Sequence, residues 1–496
     1  MTANVVSDCP DSDYRISLSL RRSWRLLALV GVTFVLRVVF LDAQSLWRDE
    51  VDALNFATAP WSEVWGNFLR PGWNGPLYFL LLRGWVALTG RTAFALRFFS
   101  LLWGVLAIPL MYALGRRRLD ARTARWAAVL AAFSPYLIWY SAEVKMYSWV
   151  PFLILLALYA LDRACVTPRW SWWALTVAGL SLAVYSHILA TLSIPVAVLW
   201  FCLHPRRHPR AWVGALAALA ALTLPYLPLL AWQFPMVLAD RGVTGFPALT
   251  FGQMAGSLLV GWSAGVPAMG GAVASWGSAL LGVWGAWTLI RRRRWRTAAA
   301  LGAWIFAPLG LIWWVSLRGP LFTDRYLIWA APAFYLLLGA GLAGLRGRWV
   351  RQGALVALIL IAGANLSAQL LHPYKPQFRE AAASLRLRRL PEDLLLFQIP
   401  YNRIMLDYYS PTPLEPWADA PYTNFRDAEG RYTVTFEAVD AQLRALTQGY
   451  QRVWLVYSEA TLWDERELVK AWLDIHGRLL YEQQFLMVSL ACYELP

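Results

Sequence analysis

Acidic residues are scarce over most of this chain. Between Pro71 and Leu371 there are only Asp120, Glu143, Asp162, Asp240 and Asp324, while the residues from His372 onward hold 17 acids. Charged residues make up 15% of the 496, against about 25% in an ordinary soluble domain. That shortage excludes a cytosolic enzyme for the long first part and leaves the C-terminal part as the segment that reads as soluble. Cysteine is rare as well. Cys9, Cys165, Cys202 and Cys492 show no metal-ligand spacing, and two of them sit at the ends of apolar runs, so no disulfide framework is expected. A cleavable signal pattern is missing too: Arg21, Arg22 and Arg25 lead straight into an apolar stretch, which predicts an uncleaved anchor. Neither internal repeats nor low-complexity segments are present.

What the chain has in quantity is apolar sequence, 58% of its residues, and a net charge of +15. A nucleic-acid binder clusters its basic residues on a polar surface. Here they stand as short runs between apolar stretches, so the charge reads as membrane topology and nucleic acid is excluded as a partner. A spanning helix needs about 20 mostly apolar residues, and the stretches that qualify are 24–41, 97–115, 124–140, 147–161, 170–186, 188–203, 211–232, 270–290, 298–317, 326–345 and 353–371. Every second connection is rich in arginine, with runs around Arg21, Arg116, Arg163, Arg206, Arg291 and Arg346. By the positive-inside rule the N-terminus is cytoplasmic and the C-terminal part extracytoplasmic. Residues 75–90 are apolar but short and carry Arg83. Were they to cross, every later arginine run would change sides, so they are expected to lie in the outer leaflet, inside one external loop 42–96. Residues 251–262 are read in the same way.

The layout predicted is a cytoplasmic segment 1–23, a transmembrane domain 24–371 and a soluble domain 372–496. In the last, helical spacing at 378–389, 439–446 and 465–475 alternates with strand-like runs at 394–399, 453–457, 479–482 and 485–492, the pattern of a small α/β domain.

Charged groups at membrane level are costly, which makes them functional candidates. Asp49 and Glu50 follow the first apolar stretch directly. One could act as a base or metal ligand while the other orients it; a plain interfacial loop is the alternative. Trp73 and Asn74 lie in the same external loop. Glu143, Lys145 and Tyr147 occupy a connection on the same side, where a simple Glu–Lys surface pair is the bland reading. His187 sits in a tight outer turn. Arg318, Asp324 and Arg325 mark the outer connection before the stretch 326–345. Guanidinium groups bind phosphate through two parallel hydrogen bonds, so these arginines suit a lipid-linked phosphate as well as ordinary headgroups.

These pieces occur in a telling order: the Asp-Glu loop, an Asn-Gly-Pro-Leu-Tyr segment, ALRFFSLLWG, FSPYLIWYSAEVKMYS and DRYLIWAAPAFYLLL. Together, over about residues 20–375, they resemble the GT-C class of integral-membrane glycosyltransferases. More narrowly they resemble the bacterial relatives of protein O-mannosyltransferases and the aminoarabinose lipid A transferase. The resemblance implies a polytopic α-helical membrane protein with a C-terminal extracytoplasmic α/β domain. It implies inverting transfer of a hexosyl or pentosyl group from a polyprenyl-phosphate-linked donor to an acceptor at the outer face, among membrane lipids. Asp49 matches the catalytic acid of that class and Glu50 its usual acidic neighbour, which makes the two the catalytic candidates, and Trp73, Asn74, Glu143, Lys145, Tyr147, His187, Arg318 and Arg325 become candidates for substrate binding. Asn74-Gly75-Pro76 stands where relatives carry His-Pro-Pro or Glu-Lys-Pro, so the Lys or His that could contact donor or metal is missing; a basic group is enough for the leaving phosphate, so a divalent metal ion is possible but not required, and it would fall to Asp49 and Glu50. The competing class is a polytopic transporter or lipid flippase of cell-envelope glycan precursors. Transporters usually show inverted repeats and midplane charges, whereas here the polar groups gather at one face.

Overall fold

The structure, a computed structural model, describes residues 11–68, 74–226, 246–265 and 268–496. It divides into two compact units: Met1–Leu41 with Ala59–Ala368, and Asp42–Thr58 with Gln369–Pro496. The segment 42–58, expected with the transmembrane domain, thus groups with the C-terminal residues. Along the chain the helices are α1 (Asp11–Val38), α2 (Arg48–Thr58, second unit), α3 (Trp61–Phe68), α4 (Leu77–Thr89), α5 (Ala93–Arg118), α6 (Ala121–Ala132), α7 (Pro135–Ser141), α8 (Trp149–Val166), α9 (Trp170–Val184), α10 (Ser193–Cys202), α11 (Ala211–Thr223), α12 (Phe251–Ala264), α13 (Gly271–Arg291), α14 (Trp295–Ser316), α15 (Ala331–Gly344) and α16 (Arg348–Leu371).

Among the described residues, six helical stretches are long and apolar enough to cross a membrane: Ala93–Arg118, Trp149–Val166, Gly271–Arg291, Trp295–Ser316, Asp324–Gly344 and Arg348–Leu371. Four shorter apolar helices accompany them. One expected stretch, 211–232, runs beyond the described residues, and another is interrupted for a local reason. Residues 124–140 are not one helix, because Ser134 caps α7 by accepting from Leu137 N at 3.1 Å and Pro135 occupies its first turn. A Ser-Pro pair is a helix start signal and a stop for the helix before it. Residues 75–90 form the 13-residue helix α4, and 251–262 form α12, which opens with a Thr250–Gln253 capping box.

Packing in the first unit centres on α15, buried on all sides. Its backbone comes so close to α6 that a Cβ on Gly339 would stand 2.6 Å from Thr123 O; small residues permit such approaches between membrane helices. Buried arginines tie helix ends together through carbonyls. Arg37 of α1 donates to Ala132 O at 3.2 Å and to Ser141 Oγ at 3.2 Å, and Arg97 of α5 donates to Leu41 O at 2.9 Å. At the arginine-rich ends, Asp162 accepts from Arg117 Nε at 2.6 Å, with Arg118 Nε at 3.1 Å and His204 Nε2 at 3.2 Å.

The second unit is α/β, as expected. It comprises α17 (Phe378–Arg388), β1 (Leu394–Phe397), α18 (Tyr401–Tyr409), β2 (Trp417–Asp419), α19 (Phe436–Thr447), β3 (Arg452–Tyr457), α20 (Ala460–Trp463), α21 (Leu468–His476), β4 (Arg478–Phe485) and β5 (Val488–Glu494). The sheet order is β2-β1-β3-β5-β4. The first three strands are parallel, and β5 runs antiparallel to both β3 and β4. β1 and the middle of β3 are buried on both faces, which explains their continuous apolar runs. Residues 42–58 are fastened by side chains: Gln44 Nε2 donates to Gln369 O and His372 O at 2.9 Å each, Arg379 reaches Asp42 at 2.6 Å and Ser45 donates to Glu380 at 3.0 Å.

Candidate functional site

In the first unit, three connections supply one polar cluster. They are the segment between α7 and α8, the turn between α9 and α10, and the 3-10 turn Asp324–Ala330 ahead of α15. The α7–α8 segment is pinned from both sides. Arg37 holds Ser141 at one end. Farther on, Ser100 Oγ of α5 donates to Lys145 O at 3.2 Å and Ser148 Oγ donates to Ser100 O at 2.6 Å. Between these anchors lie Glu143, buried, and Lys145, half-buried. Tyr147 packs on Tyr140 with centroids 5.4 Å apart, and the Arg325 guanidinium stands 5.6 Å from the Tyr147 ring.

His187 links the three connections. Its Nδ1 accepts from Leu189 N at 3.2 Å and so caps the 3-10 turn Ile188–Leu192. Its ring lies 6.3 Å from Tyr147 and 5.2 Å from Tyr326. Trp149 Nε1 donates to Ser186 Oγ at 2.9 Å, fastening this turn to the start of α8. Burial above all, and then Arg325 and Lys145, push the His187 imidazole down to about 4. Two cations from separate elements therefore act on one imidazole, which stays neutral at pH 7. Asp324, next to Arg325, accepts from Tyr140 OH at 3.4 Å.

Asn74 joins the same turn. Its Oδ1 accepts from Ile188 N at 3.4 Å. The next residue must be glycine, since a Cβ on Gly75 would stand 1.8 Å from Tyr185 O, the atom that accepts from Leu77 N. Trp73 lies outside the described residues. Arg318, at the end of α14, is exposed, and its described contact is with Trp314, 5.8 Å away. Tyr326 and Tyr140 were not singled out by sequence reasoning, although both stand inside the quoted motifs.

Asp49 and Glu50 belong to the second unit and open α2. A carboxylate in the first turn suits the positive end of the helix dipole. Glu50 turns inward: it is fully buried, accepts from Trp47 N at 3.3 Å and pairs with Lys375 Nζ at 3.1 Å. Reaching back to the residue before the helix is the acidic half of a capping box. Asp49 is half-buried. The Glu459 carboxyl is pushed up by burial, with Arg48 opposing and Asp49 adding to the rise, so these three charges share one neighbourhood. Arg48 also stacks on Tyr401, 4.3 Å from its centroid. Neither Lys375 nor Glu459 was anticipated.

As a metal site the Asp49–Glu50 pair fits poorly, because an ammonium already holds the Glu50 carboxylate. Among the described residues no group of three His, Cys, Asp or Glu side chains is arranged to hold a metal ion.

Residues 71–232 match the family described as dolichyl-phosphate-mannose-protein mannosyltransferase. No curated protein matches the chain by sequence. Among solved structures, ArnT from Cupriavidus metallidurans bound to undecaprenyl phosphate superposes with a TM-score of 0.61 at 16% identity, covering 95% of this chain and 98% of that one. The Archaeoglobus fulgidus oligosaccharyltransferase in complex with Zn and sulfate gives 0.53 at 15% identity, covering 91% and 71%. At such identities the likeness is one of fold. The chain thus shares the fold of these structures, and its residues 71–232 carry the sequence signature of the protein mannosyltransferase family.

Proposed function

We propose that this protein is an inverting glycosyltransferase that moves a sugar from a polyprenyl-phosphate donor to an acceptor hydroxyl at the outer face of the membrane. The observation that carries the reading is the convergence of Lys145 and Arg325 on His187, within a lining of Tyr147 and Tyr326. Two cations at one end of an otherwise acid-poor bundle suit a lipid-linked phosphate, and the aromatic rings suit an apolar or sugar face. The likeness to a structure holding undecaprenyl phosphate points the same way.

In this reading Lys145 and Arg325 hold the donor phosphate. The acceptor oxygen attacks the anomeric carbon as the bond from that carbon to the phosphate oxygen breaks. The electron pair leaves with the phosphate, whose growing charge the two cations stabilise. The acceptor proton passes to the Asp49 carboxylate. Single displacement inverts the anomeric centre. Glu50, neutralised by Lys375, fixes the start of α2 and with it Asp49. No step passes through a metal ion. The arginine-rich connections face the cytoplasm, which puts the C-terminal unit outside.

The test uses the purified full chain in liposomes with a radiolabelled polyprenyl-phosphate sugar and an extract of total envelope acceptors. Release of free polyprenyl phosphate with label moving to the acceptor fraction is expected, and Asp49→Asn should lower the rate by about 10²–10⁴-fold. Movement of intact donor across the bilayer without bond cleavage would instead identify a transporter. Equal transfer by Asp49→Asn at matched membrane levels would remove Asp49 from the chemistry.

A further inference from the structure

A second basic feature lies in the first unit, well apart in sequence from the cluster around His187. A groove of about 350 Å³ runs between α1, α5 and α6. Volumes of about 300–1,000 Å³ are usual for small-ligand sites. On α6 its lining residues are Ala121, Arg125 and Val129, with Phe133 at the helix's C-cap, spaced by four so that they form one stripe. Leu29 and Val32 supply apolar wall from α1, and Tyr112 contributes from α5, one turn before Arg116. Each of the three helices contributes an arginine to the lining: Arg25, Arg116 and Arg125.

These arginines differ from their neighbours in the same runs. Arg117 and Arg118 are held by Asp162, and Arg294 donates to Leu119 O at 2.8 Å. Arg25, Arg116 and Arg125 are exposed, and among the described residues none of them has a carboxylate partner. The walls beyond them are apolar. From Arg125 to Phe133 the stripe is eight residues long, about 12 Å at 1.5 Å per residue. One leaflet of hydrocarbon is about 15 Å, half of a core of about 30 Å.

We propose that this groove is a binding site for one anionic diacyl phospholipid of the arginine-side leaflet. The headgroup phosphate is held by Arg116, Arg125 and Arg25, and an acyl chain lies along the α6 stripe against Leu29 and Val32. Charge complementarity selects a phosphate-bearing anion, since three arginines line the groove and, among the described residues, no carboxylate lines it. The groove length selects an acyl chain over an isoprenoid chain several times longer than a leaflet. Basic pockets between membrane helices are known to take anionic headgroups on general electrostatic grounds. The site is independent of the transfer chemistry proposed above.

The experiment reconstitutes the full chain in nanodiscs of phosphatidylcholine doped with phosphatidylglycerol. Lipids that stay bound through detergent extraction are then identified by native mass spectrometry. One phosphatidylglycerol per chain is expected, retained at least tenfold over phosphatidylcholine when both are offered equally. Arg116→Gln with Arg125→Gln should cut that retention roughly tenfold. Val32→Trp, which fills the groove and keeps every charge, should cut it as well, which separates a groove from mere surface attraction. The wild-type preference is read without any variant, so a variant that fails to insert does not spare the proposal. Equal retention of the two lipids, undiminished binding in both variants, or displacement of phosphatidylglycerol by an equimolar polyprenyl phosphate each overturns it.

Discussion

His187 is held neutral by its surroundings, and that has a consequence for pH. Its value of about 4 in the folded chain lies below the ordinary 6.5. Between those limits the unfolded chain binds more protons than the folded one, so stability is full above about pH 6.5 and falls as the pH drops towards 4. Protonation would also remove the Nδ1 acceptor that caps the turn at Leu189. His187→Asn keeps a capping oxygen and has nothing to titrate. We expect the apparent Tm of the wild type to decline through this window and that of His187→Asn to decline less; parallel curves would show that other groups carry the acid sensitivity. The neighbouring cations were legible in the sequence because each is a charge in an acid-poor stretch. A charge-assisted hydrogen bond contributes about 1.5–3 kcal/mol, so Lys145→Met or Arg325→Met should raise the donor KM roughly tenfold or more. Arg325→Lys should recover only part of the loss, since it keeps the charge without the planar fork. Unchanged donor KM and kcat in both Met variants would reduce the two to lipid-headgroup contacts. What could not be read was which aromatic rings line the cluster. Tyr326 and Tyr140 sit among many aromatics, and only the fold brings the first against His187 and the second against Tyr147.

At the scale of elements, α2 shows why part of the site stayed illegible. Asp49 and Glu50 are adjacent in sequence and look equivalent, yet one is half-buried and the other fully buried against Lys375, 325 residues away. No local pattern reports so distant a partner, and a lysine just after the last apolar stretch reads as an ordinary surface residue. Breaking a buried ion pair by removing one partner typically costs about 3–5 kcal/mol, because the other charge is left buried and unpaired. Lys375→Met should therefore lower the apparent Tm of the second unit sharply and expose residues 42–58 to protease. Adding Glu50→Gln to Lys375→Met should restore much of the loss. A Lys375→Met protein as stable as wild type would mean that the pair does not hold this segment. Elsewhere in this unit, strands with long apolar runs were predicted within a few residues, as at Leu394–Phe397 and Arg452–Tyr457. β2 was missed because three half-buried residues carry no periodicity. α18 was missed because its many polar and aromatic positions hide the helical spacing.

For the whole molecule, the arginine runs carry the argument about sidedness, and the fold shows that they do not all do the same work. Arg117 and Arg118 neutralise Asp162, Arg294 ties down Leu119, and Arg25, Arg116 and Arg125 face the α1–α5–α6 groove. All of them still count towards topology, since the rule concerns lysine and arginine in short loops near helix ends and not their individual contacts. Among the described residues the helical stretches long enough to span are fewer than the eleven expected, so parity cannot be obtained by counting helices alone. The runs at Arg291–Arg294 and Arg346–Arg351 lie in connections flanking the pair α14 and α15, and one side of the membrane has to accommodate both. That side is predicted to be the cytoplasm, with the second unit outside. Single cysteines in a background with Cys9 and Cys202 replaced by serine test this directly; Cys165 and Cys492 are buried. Arg292→Cys and Glu429→Cys place the probe at exposed positions, one in the arginine-rich connection after α13 and one in the second unit. In intact cells a membrane-impermeant maleimide should label Glu429→Cys at once and Arg292→Cys only after the membrane is breached. The reverse pattern would put the arginine-rich connections outside, and the outer-face chemistry proposed for Lys145, Arg325 and Asp49 would fall with it.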